Sequence, residues 1–294
     1  MIQSKSLGSR IFNVVNAVIM TLLSISCIYP LWYAFCLSVS SKSAANSGLV
    51  TFYPVGFSLA SYQQIMGDMQ FFRSFLISVE RTVLGTFVTM LILIIFAYPL
   101  SRSITEYKPK NVIMWIVIFC MLFNGGTIPW YITMVKYGLI DNIWGLVLCG
   151  GVPVFNLILL INFYRGIPKE LIEAAQVDGA GEWRILFKVI VPCSIPVLAT
   201  LILFTSVGYW NEFFQGLVLS SGEKHYPLQT YIKQMVVSIQ TTNLSMDQIE
   251  KMDKLSNKSL DAAKIFIAMI PMLVVYPFLQ KYFVNGIMLG AVKE

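Results

Sequence analysis

The chain has 294 residues, of which 56% are hydrophobic and only 12% are charged, and its mean hydropathy is +0.70. A soluble domain carries about 25% charged residues, so this composition excludes a protein that is surrounded by water on all sides. The net charge of +6 is small and is spread over loops and helix ends, which argues against a nucleic-acid-binding protein.

Six apolar runs predict six membrane-spanning helices. Each run is long enough for an α-helix to cross about 30 Å of hydrocarbon. Short polar links separate the runs, except for two longer links at 38–73 and 219–261. The predicted fold class is therefore an all-α polytopic membrane protein, with one transmembrane domain over residues 1–294. The predicted spans lie at about 11–37, 74–100, 111–133, 142–164, 189–218 and 262–284.

The distribution of lysine and arginine predicts the orientation of these spans. Basic residues collect at 102–110 and 165–188 and near both termini, with few acids beside them. The opposite links hold fewer bases, and in the 219–261 loop acids and bases nearly balance. Because lysine and arginine collect on the cytoplasmic side of a membrane, we predict that both termini and the 165–188 loop are cytoplasmic. The 219–261 loop is then extracellular.

The loop between the fourth and fifth spans has the pattern of a short helix, a turn and a second short helix. Pro168 favours the first position of a helix, and KELIEAAQV follows as helix-forming sequence. Gly179 comes where this helix should end, because a left-handed capping residue needs no Cβ. We predict that the two helices lie against the cytoplasmic face of the membrane.

The same loop combines carboxylates with small residues. Glu173 and Asp178 offer carboxylates to bases on another protein, while Ala174, Ala175 and Ala180 keep the surface low for close approach. The pattern predicts a protein contact at this point of the chain.

The stretch IPKELIEAAQVDGA, followed by Ile190, Pro192 and Pro196, resembles the EAA loop of ABC importer permeases. These are the inner-membrane components of binding-protein-dependent transport systems. The motifs YGLIDN at 137–142 and WNEF at 210–213 are similar to those of the maltose-permease-like carbohydrate branch. FNGGTIP at 123–129 and GIMLGAVK at 286–293 resemble its LplC/YtcP-like subgroup.

The resemblance implies a type I ABC importer permease fold with six transmembrane helices in the bacterial cell membrane. Its loop would be the coupling helix, which docks in a cleft of a cytoplasmic ATPase. It also implies a second homologous permease subunit, two ATP-binding cassette ATPases, an extracellular solute-binding lipoprotein and an oligosaccharide solute. The residues implied in ATPase coupling are Glu173, Ala174, Ala175, Asp178, Gly179 and Ala180.

The chain has no GxxxxGK[ST] motif, so we predict that ATP and magnesium are used by the partner ATPase. It also has no GxSxG or HExxH motif, and its only histidine is His225. We therefore predict no catalytic residue, no metal site and no cofactor in this chain.

Polar side chains inside the spans are the candidates for the solute path. Such groups are costly in lipid and normally face the protein interior or a water-filled path, and sugars also stack on aromatic rings. Tyrosine and tryptophan near an interface are alternatively anchors, and Glu80 and Arg81 alternatively form a local or interhelical pair. Gly125–Gly126 and Gly150–Gly151 favour close helix packing or a break in a helix. The predicted path residues are Asn124, Tyr131, Asn156, Tyr209, Trp210, Asn211 and Glu212.

Three alternatives to an oligosaccharide importer remain open at this point. The first is an importer of the same class for a non-sugar solute such as a peptide or an amino acid. The second is a gradient-driven secondary transporter, which would need carboxylates at mid-membrane, whereas the acids here lie mostly at span ends. The third is a membrane receptor or scaffold without transport activity.

Overall fold

The computed structural model describes residues 7–240 and 257–291. Over these ranges the chain is helical and contains no β-strand, which confirms the predicted all-α fold class. The helices are α1 Leu7–Ser38, α2 Lys42–Asn46, α3 Ala60–Met66, α4 Met69–Ser101, α5 Lys110–Leu122, α6 Thr127–Lys136, α7 Ile143–Leu148, α8 Val154–Arg165, α9 Lys169–Val177, α10 Glu182–Ile185, α11 Val191–Cys193, α12 Ile195–Asn211, α13 Phe214–Leu219, α14 Leu228–Gln240 and α15 Lys258–Ala291.

The described residues group into two compact units. The first comprises those within 1–69 and 234–270, and the second comprises those within 70–233 and 271–294. In the first unit, the Ser259 hydroxyl donates to the Ser40 carbonyl at 2.9 Å. The buried Lys264 ammonium contacts an Asp68 carboxylate oxygen at 2.6 Å. Polar contacts therefore tie the start of α15 to the residues that follow α1 and α3.

The second unit contains the largest apolar core. Buried side chains of α4, α8 and α12 form it together with residues of the 165–188 loop. Leu93, Leu160, Ile185 and Leu201 are completely buried there. The loop is thus packed into the same core as the helices on either side of it.

The first two predicted spans are continuous helices. α1 and α4 run through them with 32 and 33 residues, and both are long and apolar enough to cross a membrane. α1 is exposed from residue 10 to residue 30, so lipid or another protein has to cover its apolar surface.

The third and fifth predicted spans are bent. The axes of α5 and α6 differ by 113° at a break in which Gly126 has a φ of 87°. This break confirms one of the two interpretations of Gly125–Gly126. Residues 182–193 and α12 differ in direction by 83°.

The fourth predicted span is also interrupted. The Asn142 side chain accepts a hydrogen bond from the Trp144 amide at 3.0 Å and so caps the start of α7. α7 ends at Leu148, and the chain passes through Gly151, with a φ of 61°, before α8 begins. The positive φ is easy for glycine and marks a second break inside a predicted span.

The structure supports fewer membrane spans than the six that the sequence predicted. Among the described residues, two helices are long and apolar enough to cross a membrane, and four spans result if each bent pair is counted as one. α8 is a shorter apolar helix, and α15 covers the predicted last span. The count of six, the single domain and the cytoplasmic termini remain predictions. Residues 1–6, 241–256 of the predicted extracellular loop and 292–294 lie outside the described ranges.

Candidate coupling loop and solute path

The predicted coupling loop, residues 165–188, begins with α9. Pro168 is the N-cap residue of α9, with a φ of −55° and a ψ of 131°, and Lys169 is the first helical residue. The prediction that Pro168 occupies the first helical position is wrong by one residue. The φ of this proline fits a helix, but its ψ remains extended. The helix-forming stretch KELIEAAQV forms the predicted helix without interruption.

α9 ends in a Schellman motif. The Gly179 amide donates to the Gln176 carbonyl at 3.0 Å, and the Ala180 amide donates to the Ala175 carbonyl at 2.9 Å. Gly179 has a φ of 75°, a conformation in which a Cβ is unfavourable. The predicted left-handed capping role of Gly179 is therefore confirmed.

The six residues implied in ATPase coupling lie on two faces of the loop. Ile172 anchors α9 in the core, and Ala175 and Ala180 are half-buried against that core. The small size of these two alanines thus allows close contact with their own subunit. The other four are exposed: Glu173, Ala174, Asp178 and Gly179. A role of the six in ATPase contact stays a prediction.

The second helix of the loop runs from Glu182 to Cys193 through a π-helical turn at Leu186–Ile190. The Val191 amide reaches back to the Leu186 carbonyl, and the next residue is a proline without an amide hydrogen. Trp183 and Phe187 stack on its outer face, with ring centroids 6.2 Å apart and an interplanar angle of 10°. Both rings are exposed. Sequence reasoning missed this pair, although two aromatic residues four positions apart in a polar loop are its signal.

A polar cluster joins the end of α4 to the start of this second helix. The Tyr98 hydroxyl donates to Glu182 Oε2 at 2.6 Å, and Arg102 Nη2 contacts the same oxygen at 3.0 Å. The Arg102 guanidinium lies 4.7 Å from the Tyr98 ring centroid and also donates to the Tyr98 hydroxyl. The hydrogen bond from Tyr98, assisted by the charge of Arg102, holds the pKa of the Glu182 carboxyl below its ordinary value. None of these three residues stands out in the sequence.

Four of the predicted path residues line two neighbouring cavities. A cavity of about 680 Å³ is lined by Asn124 and by residues of the break between α5 and α6. A cavity of about 300 Å³ is lined by Asn156 and Tyr209. Glu212 lines both cavities. The breaks in the third and fourth predicted spans and the residues that follow α12 therefore contribute to one polar region.

The remaining three path candidates lie elsewhere. Trp210 is buried and packs edge-on against Phe75, with ring centroids 5.8 Å apart. Tyr131 and Asn211 are exposed and line neither cavity. A tryptophan in the apolar interior contributes packing, so Trp210 is placed as a core residue in this chain.

The comparisons with known proteins agree with these features. The family model described as the binding-protein-dependent transport system inner membrane component matches residues 53–289. The chain belongs to this family. It is therefore a membrane subunit of a transport system, and the recognised EAA loop is confirmed as a feature of the correct family.

Two curated relatives and one solved structure resemble this permease over nearly its whole length. The polygalacturonan/rhamnogalacturonan transport system permease protein YtcP of Bacillus subtilis (strain 168) is 33% identical and is matched over 97% of this chain and 99% of its own length. Protein LplC of the same organism is 34% identical, and the match covers 97% of this chain and 96% of LplC. The crystal structure of a bacterial ABC transporter involved in the import of the acidic polysaccharide alginate has a chain that is 32% identical. That chain superimposes with a TM-score of 0.84 and is covered over 99% of its length, against 95% of this permease.

Arg81 lines the smaller of the two cavities and was not among the predicted path residues. Its side chain is completely buried on α4. It donates to the Leu146 carbonyl at 3.2 Å and to the Glu212 carbonyl at 3.0 Å, and a further bond reaches the Gln215 side chain. The Glu212 carboxylate lies 3.6 Å from the guanidinium. Arg81 is thus part of an interhelical pair, and its partner is Glu212 instead of the adjacent Glu80.

Proposed function

We propose that this permease is one transmembrane subunit of an ATP-driven importer for oligosaccharides, including fragments of polysaccharides. The importer class follows from the family, and the cargo class follows from what the related permeases transport. YtcP is named for polygalacturonan and rhamnogalacturonan, and the related crystal structure belongs to an alginate importer. A non-sugar cargo has no comparable support among these relatives.

The proposed coupling role is supported mainly by the way in which α9 is anchored. Ile172 fixes one side of this helix in the core, while Glu173, Ala174 and Asp178 are exposed on the other side. A helix held in this way transmits a force applied at its outer face to the helices behind it. We infer that the outer face docks on a cytoplasmic ATPase, and that Glu173 meets a base there.

The energy for transport then comes from outside this chain. ATP and magnesium are used by two partner ATPases, and a second homologous permease completes the path through the membrane. An extracellular solute-binding lipoprotein delivers the oligosaccharide. Closure of the ATPases draws the two coupling loops together and turns the solute path from one side of the membrane to the other. This subunit performs mechanical work and has no catalytic residue of its own.

The proposed topology has six spans and cytoplasmic termini, with the coupling loop at 165–188 inside the cell and the 219–261 loop outside. The solute path passes the polar region between the helix breaks. Asn124, Asn156, Tyr209 and Glu212 offer hydrogen-bonding groups there, and Tyr209 adds an aromatic face. These groups suit a hydroxyl-rich solute.

The coupling role predicts the effect of Glu173→Lys. Truncating one partner of an interfacial charge pair costs about 2–5 kcal/mol, and a reversed charge adds repulsion. We expect normal amounts of both permeases, loss of the ATPase during purification and loss of oligosaccharide uptake. The measurements are subunit stoichiometry in the purified complex and uptake into vesicles.

Asn156→Ala is the control, because Asn156 lies on α8 and donates to Thr205 within the bundle at 3.3 Å. This variant should keep its ATPase and change only solute preference or affinity. Normal ATPase retention together with normal uptake in Glu173→Lys would show that the loop has no coupling role.

A further inference from the structure

The Tyr98–Arg102–Glu182 cluster is the polar connection between α4 and the second helix of the coupling loop. Tyr98 lies in the last turn of α4, Arg102 follows the end of that helix, and Glu182 is the first residue of the 182–193 helix. The three side chains contact one another pairwise, since Tyr98 and Arg102 share one Glu182 oxygen and Arg102 also covers the Tyr98 ring. The cluster therefore has one defined geometry, with charge-assisted hydrogen bonds in fixed directions.

The residues around the cluster decide which other contacts hold the coupling loop to α4. A cavity of about 500 Å³ lies beside it, lined by residues of α4, the 102–107 link and both helices of the coupling loop. The same helix is held in the apolar core by Ile185 and Leu186, and Leu186 also borders the cavity. Apolar contacts are non-directional, whereas the hydrogen bonds of the cluster also constrain direction, so the cluster adds to the hold that the core has on the loop.

We propose that Tyr98, Arg102 and Glu182 are positioning residues that transmit the displacement of the coupling loop to α4. This proposal rests on the proposed function, because it assumes that an ATPase moves the loop. The cluster keeps the start of the 182–193 helix at a fixed distance from the end of α4. When α9 is pulled by the docked ATPase, α4 follows, and Arg81 on the same helix carries the movement to the polar region between the helix breaks. Without the cluster, only the apolar core connects the start of the 182–193 helix to the end of α4, and less of the displacement reaches α4.

The test uses the complete complex with its partner permease, ATPases and binding protein. Glu182→Gln removes the charge that both partners contact, and Tyr98→Phe removes only the hydroxyl. The double variant Arg102→Glu with Glu182→Arg restores an ion pair of opposite polarity. Glu106→Gln is the matched control, because Glu106 lines the same cavity but accepts its hydrogen bond from the Ser103 amide in its own link. Uptake, ATP hydrolysis and ATPase retention are measured for each.

We expect Glu182→Gln to keep its ATPase and to hydrolyse ATP, while uptake falls about fivefold, the factor that corresponds to about 1 kcal/mol, the upper end for an ion pair whose carboxylate side chain is 62% exposed. The number of ATP molecules hydrolysed per imported solute then rises by the same factor. Tyr98→Phe should show the same change to a smaller extent. The charge-reversed pair should recover part of the uptake. Glu106→Gln should behave as the unmodified complex does.

Three results would overturn the proposal. Unchanged uptake and an unchanged ATP-to-solute ratio in Glu182→Gln would show that the cluster transmits nothing. Loss of the ATPase from that variant would show that Glu182 is a docking residue. If uptake by the charge-reversed pair were as low as uptake by Glu182→Gln, a direct interaction between residues 102 and 182 would be excluded as the cause. Failure of the proposed function itself would be visible separately, as an unmodified complex that neither retains an ATPase nor couples hydrolysis to solute.

Discussion

At the scale of single residues, Arg81 is a completely buried charged side chain of the second unit. Its acceptors lie in α7, in the break after α12 and in α13. Replacing it removes hydrogen bonds of a charged group, each of which contributes about 1.5–3 kcal/mol. We predict that Arg81→Met lowers the thermal stability of the purified permease strongly. Arg73→Met, which removes an exposed arginine from the same helix, should change it little. Equal unfolding temperatures for the two variants would contradict the assigned role.

The residues that sequence reasoning identified correctly are those whose signal is local. Gly179 was predicted as a left-handed cap because helix-forming residues precede it directly, and the structure confirms this. Arg81 and Glu212 are 131 positions apart, and Tyr98 and Glu182 are 84 positions apart. No spacing rule connects such pairs, since only the packing of helices brings them together. Ala175 was predicted to contact another protein, whereas the structure places it half-buried against the core of its own chain, because helix packing decides which side of α9 faces inwards.

At the scale of elements, α7 depends on a glycine at its contact with the preceding turn. A Cβ on Gly145 would lie 2.0 Å from the Leu139 carbonyl oxygen, and a backbone atom cannot move aside as a flexible side chain can. Overpacking of this kind costs about 1–3 kcal/mol. We predict that Gly145→Ala lowers the thermal stability and displaces α7. Gly208→Ala in α12 is the control, because a Cβ there meets no atom within 4 Å. This control should be neutral or stabilising, and a loss of stability equal to that of Gly145→Ala would contradict the assigned contact.

The first two predicted spans are continuous helices in the structure, whereas the interruptions of the later ones were predicted only in part. Hydropathy reports the length of an apolar run and is insensitive to a change of direction within it. The break at Gly126 was indicated by the paired glycines, and the break at Gly151 by the same signal. The 83° bend between residues 182–193 and α12 lies between Pro192 and Pro196. The sequence analysis had interpreted these two prolines only as the entry to a span.

At the scale of the whole molecule, the proposed topology predicts which positions an impermeant reagent can reach. Thr105, Gln176 and Lys224 are exposed in the structure and are suitable labelling positions. In a chain whose five cysteines are replaced by alanine, we expect cysteine at 105 or 176 to react only after the cells are opened. Cysteine at 224 should react on intact cells. Reaction of position 176 on intact cells would reverse the proposed orientation and remove the coupling loop from the ATPase side.

The exposed apolar surface of α1 and the single coupling loop together predict dependence on a second permease. One loop can engage one ATPase, so a transporter driven by two ATPases needs a second coupling loop from another chain. We expect this permease, expressed with the ATPase and the binding protein alone, to show no solute-stimulated ATP hydrolysis. Co-expression with a second, homologous permease should restore it, and Glu173→Lys in this subunit should abolish it again. Full stimulated hydrolysis without the second permease would instead establish a homodimer, in which two copies of the same coupling loop receive the force of the two ATPases.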